Sequence, residues 1–272
     1  MSSPAGEGWT RFDLTAAGRV LAAASFSDMR GETLTVFIEG DGAAHTPRGL
    51  PSRDPTPRDP VSLKIAQAWP RPGPKAWLGR LCQYVRERDP ACAPEDWTLN
   101  RFSPPAVAAT NAALDQLKVR AGASRLVLVG WSGGGTVATL AASKRSDVAM
   151  LITIAAPLDV GAWTKAIGVS RLPEDGDPIS IVWEHEVNQL HLYGGRDRTV
   201  PAETQRWASL KLRGRFVIWP GEGHQCCWAR KTARIVEEAR RLLPCRRFPA
   251  GPGQRRAGRI RPPSAAPARR TC

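Results

Sequence analysis

The sequence predicts an α/β fold with a mostly parallel central sheet and helices on both faces. Along the C-terminal two thirds of the chain, short apolar segments alternate with helical segments, the pattern of parallel strands joined by helical crossovers. Two of these segments, 125–129 and 148–154, are apolar at all but one position each, as expected of strands buried on both sides. The chain has 272 residues, 42% of them hydrophobic, which is enough to form one sizeable core.

The first 105 residues combine strands with long loops. Gly18 separates two β-prone segments and indicates a hairpin, and a third β-prone segment ends abruptly at the glycine-containing turn 39–42. Twelve of the 24 prolines lie between residues 43 and 105, so this stretch is predicted to form ordered loops around one helix and one strand. The predicted strands are 12–16, 20–26, 33–38 and 76–81, and the predicted helix is 61–67.

Regular alternation returns after residue 103. Pro104 lies at the start of a predicted helix and Gly122 just past its end, the positions that these residue types favour. Residues 157–186 lack clear periodicity and are predicted to be a loop-rich, lid-like segment over the site. No internal repeat is visible, so residues 1–244 are predicted to form one domain. The helices predicted here are 104–119, 133–143, 202–210 and 222–243, and the strands are 125–129, 148–154, 189–193 and 215–219.

The net charge of +14 is unevenly distributed. Residues 245–272 carry eight arginines and no acidic residue, which leaves +6 for the rest of the chain. This tail is rich in Pro, Gly and Ala and buries too little apolar surface to offset its ordering entropy, so it is predicted to be disordered. A solvated tail is the simpler interpretation, and weak electrostatic contact with anionic polymers or membrane surfaces is the alternative. The body lacks an aromatic-interleaved basic motif, so no specific nucleic-acid partner is expected.

The composition leaves the compartment open. No run of about 18 apolar residues predicts a membrane-spanning helix. The apolar segment 20–26 is too short for an export signal and follows acidic residues, so the chain as written predicts a cytoplasmic protein. Cys82 and Cys92 flank a short loop and either close it as a disulfide in an oxidising compartment or remain two free thiols. The other cysteines, at 226, 227, 245 and 272, show no zinc-type spacing.

The segment Gly-Trp-Ser-Gly-Gly at 130–134 carries the strongest indication of chemistry. It matches the pattern G-x-S-x-G and lies directly between a predicted buried strand and a predicted helix. In that context the serine occupies a strained strand-to-helix turn that exposes its hydroxyl group. Ser132 is therefore predicted to be a nucleophile, and the alternative is a glycine-rich helix entry without chemistry.

A serine hydroxyl needs a base to accept its proton, and the chain offers four histidines. His224 lies in the glycine-containing turn 220–224 after the last predicted strand and is predicted to be the general base. His191 lies within an apolar strand and is interpreted as a core residue. His185 is flanked by two glutamates in the lid-like segment. His45 follows the third strand and is a candidate substrate contact.

Asp197 lies in the turn 194–201 between a predicted strand and a predicted helix. Its carboxylate is predicted to accept a hydrogen bond from the imidazole Nδ1–H, which fixes the tautomer of the base and stabilises the imidazolium. An N-cap of the following helix is the alternative role.

The tetrahedral intermediate of acyl transfer needs hydrogen-bond donors for its oxyanion. The backbone N–H of Gly133, directly after the nucleophile, is predicted to be one donor. The N–H of Asp41 is predicted to be the second, with that of Gly42 as the alternative. The Asp41 carboxylate is interpreted as structural, because a negative charge facing the oxyanion would oppose catalysis.

One tryptophan directly precedes the predicted nucleophile, and two others lie in the lid-like segment. Trp131 precedes Ser132 and is predicted to contact substrate. Together with Trp163 and Trp183 it indicates a partly aromatic acyl pocket. Burial of these rings in the core is the alternative.

The chain resembles the α/β-hydrolase superfamily over about residues 10–243. The elbow 130–134, the acid turn 194–201 and the Gly-His turn 223–224 carry this resemblance in the expected chain order. More narrowly, it resembles bacterial α/β hydrolases with an Ile-Glu-Gly-Asp-Gly oxyanion turn, here 38–42, that are often described as lipoproteins or exported proteins. Their Cys-Gln-Tyr and Cys-Cys-Trp segments are similar to residues 82–84 and 226–228.

This resemblance implies the α/β-hydrolase fold, a periplasmic or cell-envelope setting and a Cys82–Cys92 disulfide. The predicted activity is hydrolysis of a small-molecule carboxylic ester or thioester through an acyl-serine intermediate, which needs no metal and no organic cofactor. An acyltransferase and a catalytically silent binding protein are the alternatives. The intact set of Ser132, Asp197 and His224 argues against the silent protein.

Overall fold

The central sheet has eight strands, and its six C-terminal strands run parallel to one another. A computed structural model describes residues 8–26, 30–70 and 72–242. The strands are β1 (Trp9–Ala16), β2 (Arg19–Phe26), β3 (Thr33–Ile38), β4 (Lys75–Leu78), β5 (Arg125–Trp131), β6 (Val148–Ile154), β7 (Asn188–Gly194) and β8 (Arg215–Trp219). Their order is β1-β2-β4-β3-β5-β6-β7-β8, and β1 and β2 form the antiparallel edge. The prediction of a mostly parallel sheet is confirmed.

Helices cover both faces of this sheet. They are α1 (Val61–Gln67), α2 (Pro104–Ala121), α3 (Gly133–Ala142), α4 (Val160–Ile167), α5 (Arg206–Lys211) and α6 (Thr232–Arg240). Successive residues of a strand point to opposite faces, and β3 shows the consequence. Its Val36 packs with α2 and α3, whereas the next residue, Phe37, packs with α1 and α6. The loops at the carboxyl ends of the parallel strands lie between the two helical layers, and in open α/β sheets this edge is where ligands bind.

The loop after β4 turns earlier than the sequence pattern predicts. The predicted strand 76–81 ends at Leu78, because Gly79 donates its N–H to Ala22 and Arg80 donates its N–H to the Gln83 side chain. The disulfide alternative is the one formed, between Cys82 and Cys92.

The ion pairs of Arg19 tie this disulfide loop to the N-terminal hairpin. Its guanidinium contacts the carboxylates of Asp89 and Asp96, each at 2.9 Å, and lies beside the bridged sulfurs. The loop is therefore ordered by a covalent bond and by charge, rather than by regular secondary structure.

The last predicted helix is too long at its N-terminus. Residues 222–227 form a turn, in which Gly223 donates its N–H to Cys226 and the Glu222 carboxylate accepts the N–H of Cys227. A 3₁₀ turn, Trp228–Lys231, precedes α6. The predicted helix 202–210 is likewise divided between a 3₁₀ turn, Ala202–Gln205, and α5.

The lid-like segment 157–186 contains a helix that its weak periodicity does not reveal. Asp159 caps α4 by accepting the N–H of Ala162, and the helix ends at Gly168, whose φ of +70° suits glycine. Two 3₁₀ turns follow, Glu174–Gly176 and Pro178–Ser180.

The arginine-rich tail 245–272 lies outside the described residues, so its disorder stays a prediction. No helix in the described part of the chain is long and apolar enough to cross a membrane.

Candidate active site

Ser132 lies at the sharp turn from β5 into α3, where its backbone has a φ of +53°. A non-glycine residue rarely adopts this conformation, which stores strain and projects the side chain from the turn. The flanking glycines make the turn sterically feasible. A Cβ on Gly130 would collide with the backbone of Gly134, and a Cβ on Gly134 would collide with the carbonyl group of Glu39.

Two hydrogen bonds connect Ser132 to the predicted base and acid. The Ser132 Oγ lies 3.0 Å from His224 Nε2, and His224 Nδ1 lies 2.8 Å from Asp197 Oδ2. The second carboxylate oxygen, Asp197 Oδ1, accepts the backbone N–H groups of Thr199 and Val200, each at 2.8 Å. The structure thus brings together three predicted residues from loops after β5, β7 and β8, with the acid side chain fully buried and the imidazole 14% exposed.

The backbone carbonyl group of His224 is held by two indoles. Trp131 Nε1 and Trp228 Nε1 each donate a hydrogen bond of 3.0 Å to it. The Trp131 ring also packs against Gly40, where an added Cβ would lie only 2.6 Å from the ring. Trp131 therefore connects the turn of the base to the turn after β3, and its side chain is mostly buried, although it lines the cleft described below.

The predicted oxyanion donors lie on either side of the nucleophile. Gly133 is the first residue of α3, and the N–H groups of a first helical turn have no partner within the helix. The N–H of Asp41 donates to no described residue. Gly42 has a φ of +66°, and a Cβ there would collide with the carbonyl group of Pro55. The sequence assigned these donors, and their role stays a prediction.

The Asp41 side chain packs between the nucleophile turn and two arginines. Its Oδ1 lies so close to Gly133 Cα that a Cβ at that position would overlap it. Arg80 donates a hydrogen bond of 3.1 Å to Oδ1, and Arg101 Nε lies 3.6 Å from Oδ2. The negative charge beside Ser132 is thus compensated by positive charge.

Glu39 anchors the turn after β3 from behind. Its side chain is fully buried, and burial raises the pKa of this carboxyl group despite four hydrogen bonds that oppose the shift. The donors are the N–H groups of Gly40, Ser62 and Leu63 and the indole of Trp77. Since Gln83 also donates to the Gly40 carbonyl group at 2.8 Å, the turn that carries Asp41 is rigidly fixed.

Solved structures share this architecture at low sequence identity. The neighbours include an alpha-beta serine hydrolase homologue from Coxiella burnetii, with 15% identity, a TM-score of 0.57 and coverage of 89% of this chain and 98% of that one. An esterase from Pyrobaculum calidifontis has 14% identity, a TM-score of 0.59 and coverage of 87% and 85%. The chain has the α/β-hydrolase fold. A puromycin-hydrolyzing peptidase from Mycobacterium tuberculosis has 15% identity and a TM-score of 0.59; 89% of this chain aligns with 40% of that one. No family model and no curated protein matches this sequence.

A cleft of about 880 Å³ opens above Ser132 and His224, where α/β-hydrolase folds carry their functional loops. His45 lines it, and burial together with the nearby positive charge of Arg101 lowers the pKa of this histidine. The helix α4 covers one side of the cleft with Trp163.

Trp183, which the sequence groups with the acyl pocket, lines a different cavity, together with His185. His191 is a core residue: it is fully buried against Thr153, and burial lowers its pKa to about 3.

Sequence reasoning missed three residues that shape the site of this α/β-hydrolase fold. Glu39 supports the turn after β3, and Arg80 and Arg101 flank Asp41. Each lies in the loop-rich N-terminal part, where no periodicity shows which side chains point inward. A buried charged residue is recognisable only through its tertiary partners.

The described residues contain one group with metal-type ligands, formed by Cys82, Asp89 and Cys92. Thiolates are the sulfur ligands of metals. Because the two sulfurs are joined in a disulfide, this group is interpreted as structural.

Proposed function

We propose that this protein is a serine hydrolase that cleaves a carboxylic ester through an acyl-serine intermediate. The observation that carries the proposal is the continuous chain of hydrogen bonds from Asp197 through His224 to Ser132, which ends in an open cleft. A nucleophile, a base within hydrogen-bond reach and a third group that orients the base are the parts that covalent catalysis requires. The α/β-hydrolase fold supports the same interpretation by analogy.

In the acylation step, Ser132 Oγ attacks the ester carbonyl carbon while His224 Nε2 accepts the hydroxyl proton. Asp197 stabilises the resulting imidazolium through Nδ1–H. The carbonyl oxygen becomes an oxyanion, which accepts hydrogen bonds from the backbone N–H groups of Gly133 and Asp41. The intermediate then expels the alcohol, which leaves with the proton held by His224, and an acyl-serine remains.

In the deacylation step, water replaces the alcohol and the same groups act in reverse. His224 accepts a proton from the water as its oxygen attacks the acyl carbon. The second tetrahedral intermediate collapses, the bond to Ser132 Oγ breaks, and His224 returns the proton to the serine. The products are a carboxylic acid and the regenerated enzyme, so that one water molecule is consumed for each ester.

A peptidase among the structural neighbours makes amide hydrolysis the second candidate. The same groups could perform it, but the amine is a poorer leaving group than an alcohol. A matched pair, 4-nitrophenyl butyrate and butyryl 4-nitroanilide, separates the two activities. Ester turnover with a kcat/KM at least 100-fold above that of the anilide is the result expected from this proposal.

The first experiment is labelling with a fluorophosphonate, a reagent that reacts with activated serines. We expect one adduct, mapped to Ser132 by mass spectrometry, and none in Ser132→Ala. Ser143, a buried serine that follows α3, supplies the matched control Ser143→Ala, which should label like the wild type. A folded wild-type protein that remains unlabelled would contradict the proposal and favour a binding protein.

A further inference from the structure

Arg101 lies in the loop before α2, and its side chain reaches the cleft that contains Ser132 and His224. The residue is only 7% exposed, although it carries a permanent positive charge. Burying a charge without a full set of partners is costly, so such a group is retained for packing, for pairing or for a ligand.

The guanidinium of Arg101 lacks the hydrogen bonds that would satisfy it. Its Nε is buried and has no hydrogen-bond partner, since the 3.6 Å separation from Asp41 Oδ2 exceeds hydrogen-bond length. Its two terminal nitrogens donate to no residue in the described ranges, and the side chain lines the cleft. All five N–H donors are therefore unused by the described chain.

The neighbouring Arg80, in contrast, makes the hydrogen bonds expected of an arginine with a structural role. It donates to Asp41 Oδ1 at 3.1 Å and also donates to the backbone carbonyl group of Arg101. Arg80 is as buried as Arg101, but it does not line the cleft. Asp41 carries one negative charge and forms ion pairs with both arginines, so the group of Asp41, Arg80 and Arg101 keeps a net positive charge.

Two aromatic rings hold the Arg101 guanidinium in position. Its central carbon lies 5.5 Å from the ring centroids of both Phe102 and Trp163, a distance suited to cation–π contact. Trp163 is itself fixed by a hydrogen bond of 2.7 Å to the carbonyl group of Thr199. Because the guanidinium is already held in place, it loses little further conformational freedom when a ligand binds, and this favours binding.

We propose that Arg101 binds an anionic group of the substrate, a carboxylate or a phosphate, beside the nucleophile. The proposal rests on the hydrolase function and adds its substrate class: esters that carry an oxyanionic group. Guanidinium groups match carboxylate and phosphate oxygens with two parallel hydrogen bonds. Glu95 is the other acidic residue that lines the cleft besides Asp41, but it is exposed, so water screens its repulsion.

The test compares two esters of equal chain length, mono-4-nitrophenyl adipate, which is anionic, and 4-nitrophenyl hexanoate, which is neutral. We expect the wild type to prefer the anionic ester. In Arg101→Gln the ratio of the two kcat/KM values should fall by roughly 10- to 100-fold, the loss expected for hydrogen bonds to a charged group. Arg101→Lys, which keeps the charge, should restore part of the ratio.

Arg80→Gln is the matched control, because it removes the other guanidinium that pairs with Asp41 from a residue that does not itself line the cleft. It should lower both rates together and leave their ratio unchanged. An Arg101→Gln variant that behaves in the same way would overturn the proposal, since Arg101 would then only support Asp41. A wild type that prefers the hexanoate would also overturn it.

A binding measurement separates this proposal from the hydrolase function. Calorimetry with Ser132→Ala measures the affinity for adipate and for hexyl phosphate, and the tighter of the two identifies the preferred anion. If no ester is turned over, at least tenfold weaker binding in Ser132→Ala/Arg101→Gln still supports the anion site. Affinity that is equal with and without Arg101, or no binding, overturns it.

Discussion

The indole of Trp131 donates a hydrogen bond of 3.0 Å to the backbone carbonyl group of His224. The residue before the candidate nucleophile thereby fixes the turn that carries the candidate base. Trp228 donates a second hydrogen bond to the same oxygen, also at 3.0 Å. The distance between Ser132 and His224 thus depends on two tryptophans that need not touch the substrate's reacting atoms.

Removing the Trp228 donor should loosen the base without emptying the core. Trp228→Phe keeps an aromatic ring in this fully buried position and loses the Nε1–H. We expect kcat on an ester to fall roughly five- to tenfold, the value of one hydrogen bond, with KM nearly unchanged. Steady-state kinetics check this, and thermal unfolding shows whether stability changes in parallel.

The stacked neighbour Trp219 is the control for that substitution. Its ring lies 5.4 Å from that of Trp228, and its Nε1 is buried without a hydrogen-bond partner. Trp219→Phe therefore removes no hydrogen bond and should preserve kcat. Equal kinetic losses in both variants would contradict a positioning role for Trp228.

Asp197→Asn should abolish most of the turnover. The backbone N–H groups of Thr199 and Val200 require an acceptor, so they should hold the amide oxygen of the new side chain and turn its NH₂ group toward His224 Nδ1. That arrangement favours the wrong imidazole tautomer, and in serine proteases the same change lowers kcat by about 10⁴-fold. Asp159→Asn, at the cap of α4, should cost little activity. Retention of wild-type turnover in Asp197→Asn would assign the acid elsewhere.

Gly133→Ala should disrupt the predicted oxyanion site. The new methyl group would overlap Asp41 Oδ1, which Arg80 holds in place, so the two turns must move apart. Loss of one oxyanion donor typically lowers kcat by roughly 10²–10³-fold, and we expect a loss of that size. Gly221→Ala is the control, because a Cβ there meets nothing within 4 Å. Full activity of Gly133→Ala would show that the turn tolerates the displacement.

The Cys82–Cys92 disulfide should stabilise the protein by closing a loop. For a sequence separation of 10, the chain-entropy model gives roughly 2–3 kcal/mol. We expect a Cys82→Ser/Cys92→Ser variant to unfold at lower denaturant concentration by about that free energy, measured without reductant. Equal stability of variant and wild type would mean that the ion pairs of Arg19 suffice to order the loop.

Asp147 should make stability depend on pH. Burial by itself raises the pKa of this carboxyl group, but hydrogen bonds from Arg145 and Lys118 outweigh burial and lower the pKa below its usual value. Because the folded state holds the charged form, the stabilisation is complete above the unfolded pKa of about 4 and is lost as the pH falls through the folded pKa.

Asp147→Asn should therefore cost about 1 kcal/mol of unfolding free energy near pH 7, and this difference should vanish in acid. Denaturant titrations at pH 7 and pH 3 measure it. Asp115→Asn is the control: its side chain is 60% exposed, so its ion pair with Arg145 should contribute less. A difference that is unchanged at pH 3 would exclude ionisation of Asp147 as the cause.

Local patterns in the sequence were sufficient for the strands and most helices. The apolar segments of β3, β6 and β8 have the predicted bounds, since a buried strand needs continuous apolar character that a short window reveals. The last helix was predicted to begin at residue 222, six residues before the 3₁₀ turn that precedes α6. Its first residues bond within a turn around Glu222, which no helical period predicts.

Patterns in the sequence were sufficient to predict the sheet, the sharp turn at Ser132 and the approach of Ser132, Asp197 and His224 to one another. Each of these residues lies in a loop that follows a parallel strand, and the carboxyl ends of parallel strands lie at one edge of the sheet. What surrounds these residues depends on tertiary contacts: the indoles on the His224 carbonyl group, the buried Glu39 and the buried guanidinium of Arg101. These groups come from irregular loops, where the direction of a side chain depends on packing between distant segments rather than on its neighbours in sequence.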